Sequence, residues 1–242
     1  MFSELQKCVR GRGPSPIVTW LSDIGRIELS AVTFNNAISK ASNFLVDGLE
    51  LEEDATVSIS LGNHWQSPVW LGTALTTGLT IVEREPVITF GTNSATQTWQ
   101  GSPEDFVVVS RDPFGMPEKD IPAGLINGSA EVRNFGDFFS PSWPVAADHP
   151  AVSINSGEFT WSQLTQRAQE LASAIDLKPG QSYGLSGSSD LITTIAFQVV
   201  LPVAFGHSVV LIDQANPDLD AIKKQEKLEQ IVLLGGVNAI DS

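Results

Sequence analysis

Residues 149–164, HPAVSINSGEFTWSQL, decide how this 242-residue chain is to be read. Val152 and Ile154 alternate with small or polar neighbours, and Gly157 to Thr160 resume an extended pattern, so two short strands flank Asn155-Ser156-Gly157. A phosphate-binding loop needs several consecutive flexible residues whose amides converge, with a cation nearby. Here an acid, Glu158, and the bulky strand formers Phe159 and Trp161 follow at once. That order predicts a tight hairpin turn. Thr160 then predicts a helix N-cap, with Gln163 at the capping-box spacing. Leu164, Ala168, Leu171 and Ile175 fall on one face of the helix that follows.

The same plan occurs earlier. PIVTWLSDIGRIELSAVTFNNAISKASNFL, from Pro16, gives a proline, two short strands around a turn, the candidate cap Ser30, and an apolar helix face at Phe34, Ile38, Ala41 and Leu45. Each copy continues through a polar turn to a strand, VSISL at 57–61 or YGLSG at 183–187. A second helix follows at about 66–77 or 190–204, then a glycine suited to a helix C-cap, Gly78 or Gly206. Each closes on an apolar strand, LTIVE at 79–83 or SVVLID at 208–213. This is the grammar of parallel sheets covered by helices, arising from duplication or from a common design. The expected class is therefore α/β, with two similar lobes of mostly parallel sheet flanked by helices. The first lobe is placed at 1–86, an irregular bridging segment at 87–149, and the second lobe at 150–242. The bridge is expected to hold a strand at 105–110 and a helix at 129–139, and the second lobe a late helix from Asn216 to Gln230 and a strand and turn at 231–236.

FTWSQLTQRAQELASAI at 159–175 resembles the opening motif of the AMP-forming acyl-adenylating enzymes, roughly LTYxELxxxAxxLAxxL. This superfamily holds acyl-CoA synthetases, adenylation domains and luciferase. RIELSAVTFNNAISKASNFL, NHWQ and LPVAFGHSVVLID further resemble a bacterial family similar to the N-terminal portion of those enzymes. The resemblance implies acyl-AMP formation from ATP, which in that superfamily uses a loop TSGTTGxPKG and a catalytic lysine on a C-terminal domain. No stretch here reads TSGTTGxPKG, and the chain has less than half the usual enzyme length. The expectation is a non-catalytic relative, a pseudoenzyme that binds a small ligand or a protein partner. A half-enzyme completed by another chain is the alternative.

Composition narrows the partners. Lys and Arg number 14 against 28 Asp and Glu, a net charge of −14, and no basic cluster is interleaved with aromatics, so nucleic acid and anionic membranes are not expected. No apolar run approaches a bilayer span, no secretory signal pattern opens the chain, and a single cysteine, Cys8, excludes an internal disulfide framework. A cytoplasmic location is expected, with a homo-oligomer open. The scattered histidines and lone cysteine lack zinc-ligand spacing, so neither a metal nor a cofactor is expected.

Two short stretches remain as ligand candidates. NHWQ at 63–66 follows a strand and precedes a helix, which puts His64, Trp65 and Gln66 at the carboxyl edge of a parallel sheet, where ligands favour binding. YGLSGSSD at 183–190 is a small-residue loop between strand and helix, offering Ser186, Ser188 and Ser189, with Asp190 as the N-cap. Ser186 also loosely echoes a nucleophile elbow, with His207 and Asp213, or His149, as partners for a serine hydrolase.

Overall fold

The computed structural model describes residues 1–235. An opening helix α1 (Phe2–Arg12) leads to a hairpin of β1 (Pro16–Ser22) and β2 (Gly25–Ser30), then α2 (Ala31–Asn43), which ends in a π-helical turn, Phe44–Gly48. Next come β3 (Thr56–Ser60), α3 (Gln66–Thr77) and β4 (Thr80–Val82). The middle of the chain gives β5 (Ile88–Gly91), β6 (Phe106–Val108), β7 (Ile126–Asn127) and α4 (Gly128–Glu131). A second hairpin, β8 (Pro150–Ile154) and β9 (Gly157–Thr160), precedes α5 (Trp161–Ala174) and β10 (Ser182–Gly187). Helices α6 (Leu191–Ile195) and α7 (Leu201–Ala204) are continuous through a π-helical turn, Ala196–Val200. The chain continues with β11 (Ser208–Asp213), α8 (Leu219–Gln225) and β12 (Gln230–Leu234).

Local chemistry explains most of these boundaries. The Ser30 hydroxyl accepts from the Thr33 amide at the start of α2. Thr160 and Gln163 form a complete capping box at the start of α5. Gly78 and Gly206 both adopt positive φ, 86° and 72°, where the helices end. Two expected helices are shorter than their sequences suggest. The one at 129–139 covers α4 and a 3-10 turn ending at Asn134, because the carbonyls beyond it are claimed from α2: Lys40 Nζ donates to Phe135 O, and Asn43 Nδ2 to Gly136 O and Phe138 O. The one at 216–230 is only α8, capped by Asp218 and followed by Lys227 at φ 54°. Gly236, expected in the last turn, lies outside the described residues.

The protein is α/β, with two mostly parallel sheets flanked by helices. One sheet has the order β12-β10-β11-β1-β2, the other β7-β6-β5-β3-β4-β8-β9. Among the described strands, only the hairpin partners β2 and β9 run antiparallel to their neighbours. The sheets do not follow the chain segments. The first hairpin joins the sheet of the second copy through β1 and β11, Val18 opposite Val209. The second joins the sheet of the first copy through β4 and β8, Ile81 opposite Val152. Segment 87–149 supplies β5, β6 and β7. The correspondence extends to irregularities: each hairpin shifts register two residues after its opening proline, at Pro16/Val18 and Pro150/Val152.

Helix α3 lies in the middle of the molecule. All twelve of its residues are buried, as a helix enclosed on every side must be. It packs on β3 and β4 and against α2 and the 196–200 turn. One continuous core runs from Leu5 and Trp20 through Phe34, Trp70 and Phe90 to Tyr183 and Leu211. A smaller cluster of Leu21, Val210, Ile212, Ile222 and Leu228 seats α8 on the outer face of the five-stranded sheet.

Candidate functional site

The carboxyl ends of the two sheets meet across a polar seam. Asn63, just past β3, donates from Nδ2 to the carbonyl of Gly187 at the end of β10, 2.8 Å away. Its Oδ1 accepts from Gln198 Nε2 at 3.2 Å, and Gln198 Oε1 accepts from Ser67 Oγ at 2.7 Å. Gln198 sits within the π-helical turn, a local widening that often marks functional sites. A second link runs through Arg111, just past β6. Its Nη1 donates to Leu61 O at 3.1 Å and its Nη2 to Asp213 Oδ2 at the end of β11. Asp213 also accepts from Trp20 Nε1 at 3.0 Å.

Beside the first of these links, at Asn63 and Gln198, opens a cleft of about 190 Å³. Its polar wall includes Ser60, Asn63, Ser67, Ser188, Ser189 and Gln198, and its apolar wall Ile59, Leu71 and Leu191. No lining residue carries a charge, among the described residues. The helix N-terminus beside it is engaged by its own cap: Asp190 accepts from the Thr193 amide at 2.9 Å and the Thr193 hydroxyl at 2.7 Å.

Of the candidates raised from sequence, Ser188 and Ser189 line the cleft, the latter sharing a 2.9 Å hydrogen bond with Thr194. Ser186 lies one residue deeper in β10, opposite Ile212. His64, Trp65 and Gln66 turn inward. His64 is only 1% exposed, edge-on to Trp20 with centroids 4.7 Å apart and tilted against Trp65. Burial, reinforced by the Arg111 charge, pushes its pKa down to about 3. Gln66 is buried and donates to Ser110 O at 2.8 Å while accepting from Trp70 Nε1 at 3.4 Å.

A serine hydrolase is not assembled. His207 precedes β11 and bonds Gln181 O at 3.1 Å, five residues before the partner of Ser186, a separation of about 16 Å along the strand. Asp213 is held by Arg111 and Trp20, and His149 lies before β8 at the other edge of the second sheet. The turn that opened the question is a two-residue hairpin, Asn155-Ser156, with Ile154 paired to Gly157. Among the described residues, no group of three or more His, Cys, Asp or Glu is placed to hold a metal, and no helix is long and apolar enough to cross a membrane.

Sequence missed Asn63 and Gln198 as lining the cleft, and Arg111 and Asp213 as the ion pair that links the two sheets. Gln198 left one signal, a lone amide in the apolar run IAFQVVLPVAF.

No model of a known protein family matches the chain. A protein of Mycobacterium tuberculosis (strain ATCC 25618 / H37Rv) described as a TIGR03089 family protein is 31% identical over 254 residues, covering 94% of each chain. Among solved structures, acetoacetyl-CoA synthetase from Streptomyces lividans matches 96% of this chain with a TM-score of 0.73 at 14% identity. The chain spans 42% of that protein's length. At this identity the likeness establishes a shared fold.

Proposed function

The chain belongs to the TIGR03089 family, and from that premise we propose that it is a non-catalytic relative of the AMP-forming adenylating enzymes that binds a small neutral ligand between its two sheets. The observation that carries this reading is the uncharged lining of the carboxyl-edge cleft. Adenylation brings a carboxylate against a triphosphate, and its transition state needs cations or a converging amide nest to absorb negative charge. The cleft offers amides and hydroxyls instead, groups that recognise a neutral polar molecule by hydrogen bonding. The two-residue turn at Asn155-Ser156 supports the same view, since it is too short to wrap a phosphate.

Calorimetric titration with ATP and Mg²⁺, and with an acyl-sulfamoyl adenosine that mimics acyl-AMP, is expected to give no binding heat. Small amides and polyols, with acetamide and erythritol as probes, are expected to shift the side-chain amide resonances of Asn63 and Gln198. Saturable ATP binding that Asn63→Leu weakens would overturn the reading.

A further inference from the structure

A second cavity, of about 450 Å³, lies at the amino-terminal end of the seven-stranded sheet, opposite the cleft. The start of α1, the end of α3, the first turn of α5 and the segment before β8 enclose it. Leu75, Leu79, Trp143 and Trp161 make its walls mainly apolar. Three side-chain atoms of lining residues interrupt that surface: Thr76 Oγ1, Trp143 Nε1 and His149 Nε2 are all buried and have no hydrogen-bond partner among the described residues.

Thr76 is the most telling of the three, at 2% exposed. Its neighbours in α3 satisfy their hydroxyls by bonding back along the helix, Thr73 to Val69 O at 2.8 Å and Thr77 to Thr73 O at 3.0 Å. Thr76 makes no such bond. A buried hydroxyl left unpaired is costly, and Thr76 is one of the residues that line the cavity.

The other half of the molecule displays what a filled version looks like. There Arg12 occupies the matching corner, donating to Gly206 O at 2.9 Å, Pro16 O at 2.8 Å, Ser208 Oγ at 2.8 Å and His207 O. The correspondence is close, because Ser208 Oγ donates to Pro16 O at 2.9 Å as Thr80 Oγ1 donates to Pro150 O at 2.7 Å. Arg12 stands four residues before Pro16. Four residues before Pro150 stands Ala146, a wall of the cavity. Where one half has a guanidinium plug, the other has a methyl group and open space.

We infer that this cavity is a binding site for a small, neutral, mainly apolar molecule bearing a carbonyl or hydroxyl oxygen, with aryl ketones and phenols as the fitting class. An indole N–H only donates, so Trp143 calls for an acceptor oxygen. Trp143 and Trp161 contribute indole surface to the lining, which suits an aromatic body. Glu53 and Asp54 line an adjoining hollow that shares Gly78, Trp143 and His149 with the cavity, and they oppose a carboxylate ligand. The volume is that of an ordinary small-molecule site.

The test uses acetophenone and phenol, with ethylbenzene as the control that lacks oxygen, followed through the Trp143 indole N–H resonance. Saturable shifts are expected with the two oxygen-bearing probes, and roughly fivefold weaker binding with ethylbenzene, the worth of one hydrogen bond. Ala146→Arg, at an exposed position, should abolish the shifts while leaving the melting temperature unchanged or raised. Thr76→Val should preserve the fold and weaken acetophenone binding. The inference fails if neither oxygen-bearing probe shifts the Trp143 resonance, or if Ala146→Arg folds and binds as the parent does.

Discussion

The Nδ1 of His64 accepts from the Gln66 amide at 3.4 Å, which assigns the ring proton to Nε2. Enclosed by Trp20 and Trp65, with Arg111 contributing like charge, the imidazole stays neutral down to a pH of about 3. In the unfolded chain a histidine protonates near pH 6.5. The folded pKa is the lower one, so this contribution to stability is fully present above about pH 6.5 and is lost as pH falls toward 3. Its slope across that window approaches 1.4 kcal/mol per pH unit. His207 is lowered in the same direction by burial. Denaturant titrations between pH 6.5 and 5, above the usual range of carboxylate titration, should therefore show stability falling with acid. His64→Leu should remove about 2 kcal/mol of that fall over the 1.5 units; an unchanged pH dependence would mean that the ring is not held neutral. NHWQ was placed from sequence at the correct sheet edge, but not its orientation. What turns His64 inward is Trp20, on another sheet and 44 residues earlier, a contact that local spacing cannot disclose. Asn63, the first letter of the same motif, faces the cleft instead.

At the level of single elements, short-range chemistry was the most legible part. The caps Ser30 and Thr160, the start of α3 at Gln66, and the limits of β11 follow from residues within a turn of each boundary. Thr160→Ala should cost about 1 kcal/mol in equilibrium unfolding, because the Gln163 amide loses the hydroxyl it donates to at the start of α5. The elements that ran short, α4 and α8, end where distant groups or a left-handed residue intervene. Helix α1 was not anticipated at all, since only Leu5 and Cys8 of its eleven residues are buried and they leave a faint periodicity. The end of β10 shows a harder constraint. Gly187 has φ 92°, and a Cβ there would come within 2.0 Å of the Leu234 carbonyl oxygen. Backbone cannot yield as a flexible side chain does, so Gly187→Ala should cost 2–4 kcal/mol, a rough figure for combined strain and clash. It should also loosen the β10–β12 pairing, read as faster amide exchange in β12. Exchange rates equal to those of the parent would show that the strand end adapts freely.

Across the whole molecule, the sequence displayed two copies of one plan but not their reciprocal pairing. Periodicity reports which residues are buried; it is silent on which strand lies alongside, and β1 and β11 are nearly two hundred residues apart. The exchange has an energetic consequence. Ile17, Val18 and Trp20 of β1 are buried through pairing and packing that require the second half. Val152 of β8 depends on β4 in the same way. Removed from its partner sheet, each hairpin is an isolated two-stranded ribbon, which is marginal in water. Neither half therefore contains a complete sheet, and the molecule should unfold as one cooperative unit, with calorimetric and van't Hoff enthalpies equal. Division of the chain at the exposed stretch 144–148 tests this directly. Fragments 1–146 and 147–242, prepared separately, should each lack fixed near-ultraviolet circular dichroism, whereas mixing them in equal amounts should restore it, since each supplies the hairpin the other's sheet needs. A first fragment that alone gives the near-ultraviolet spectrum and sharp melting of a packed protein would show that the hairpin exchange is not what holds the two sheets together.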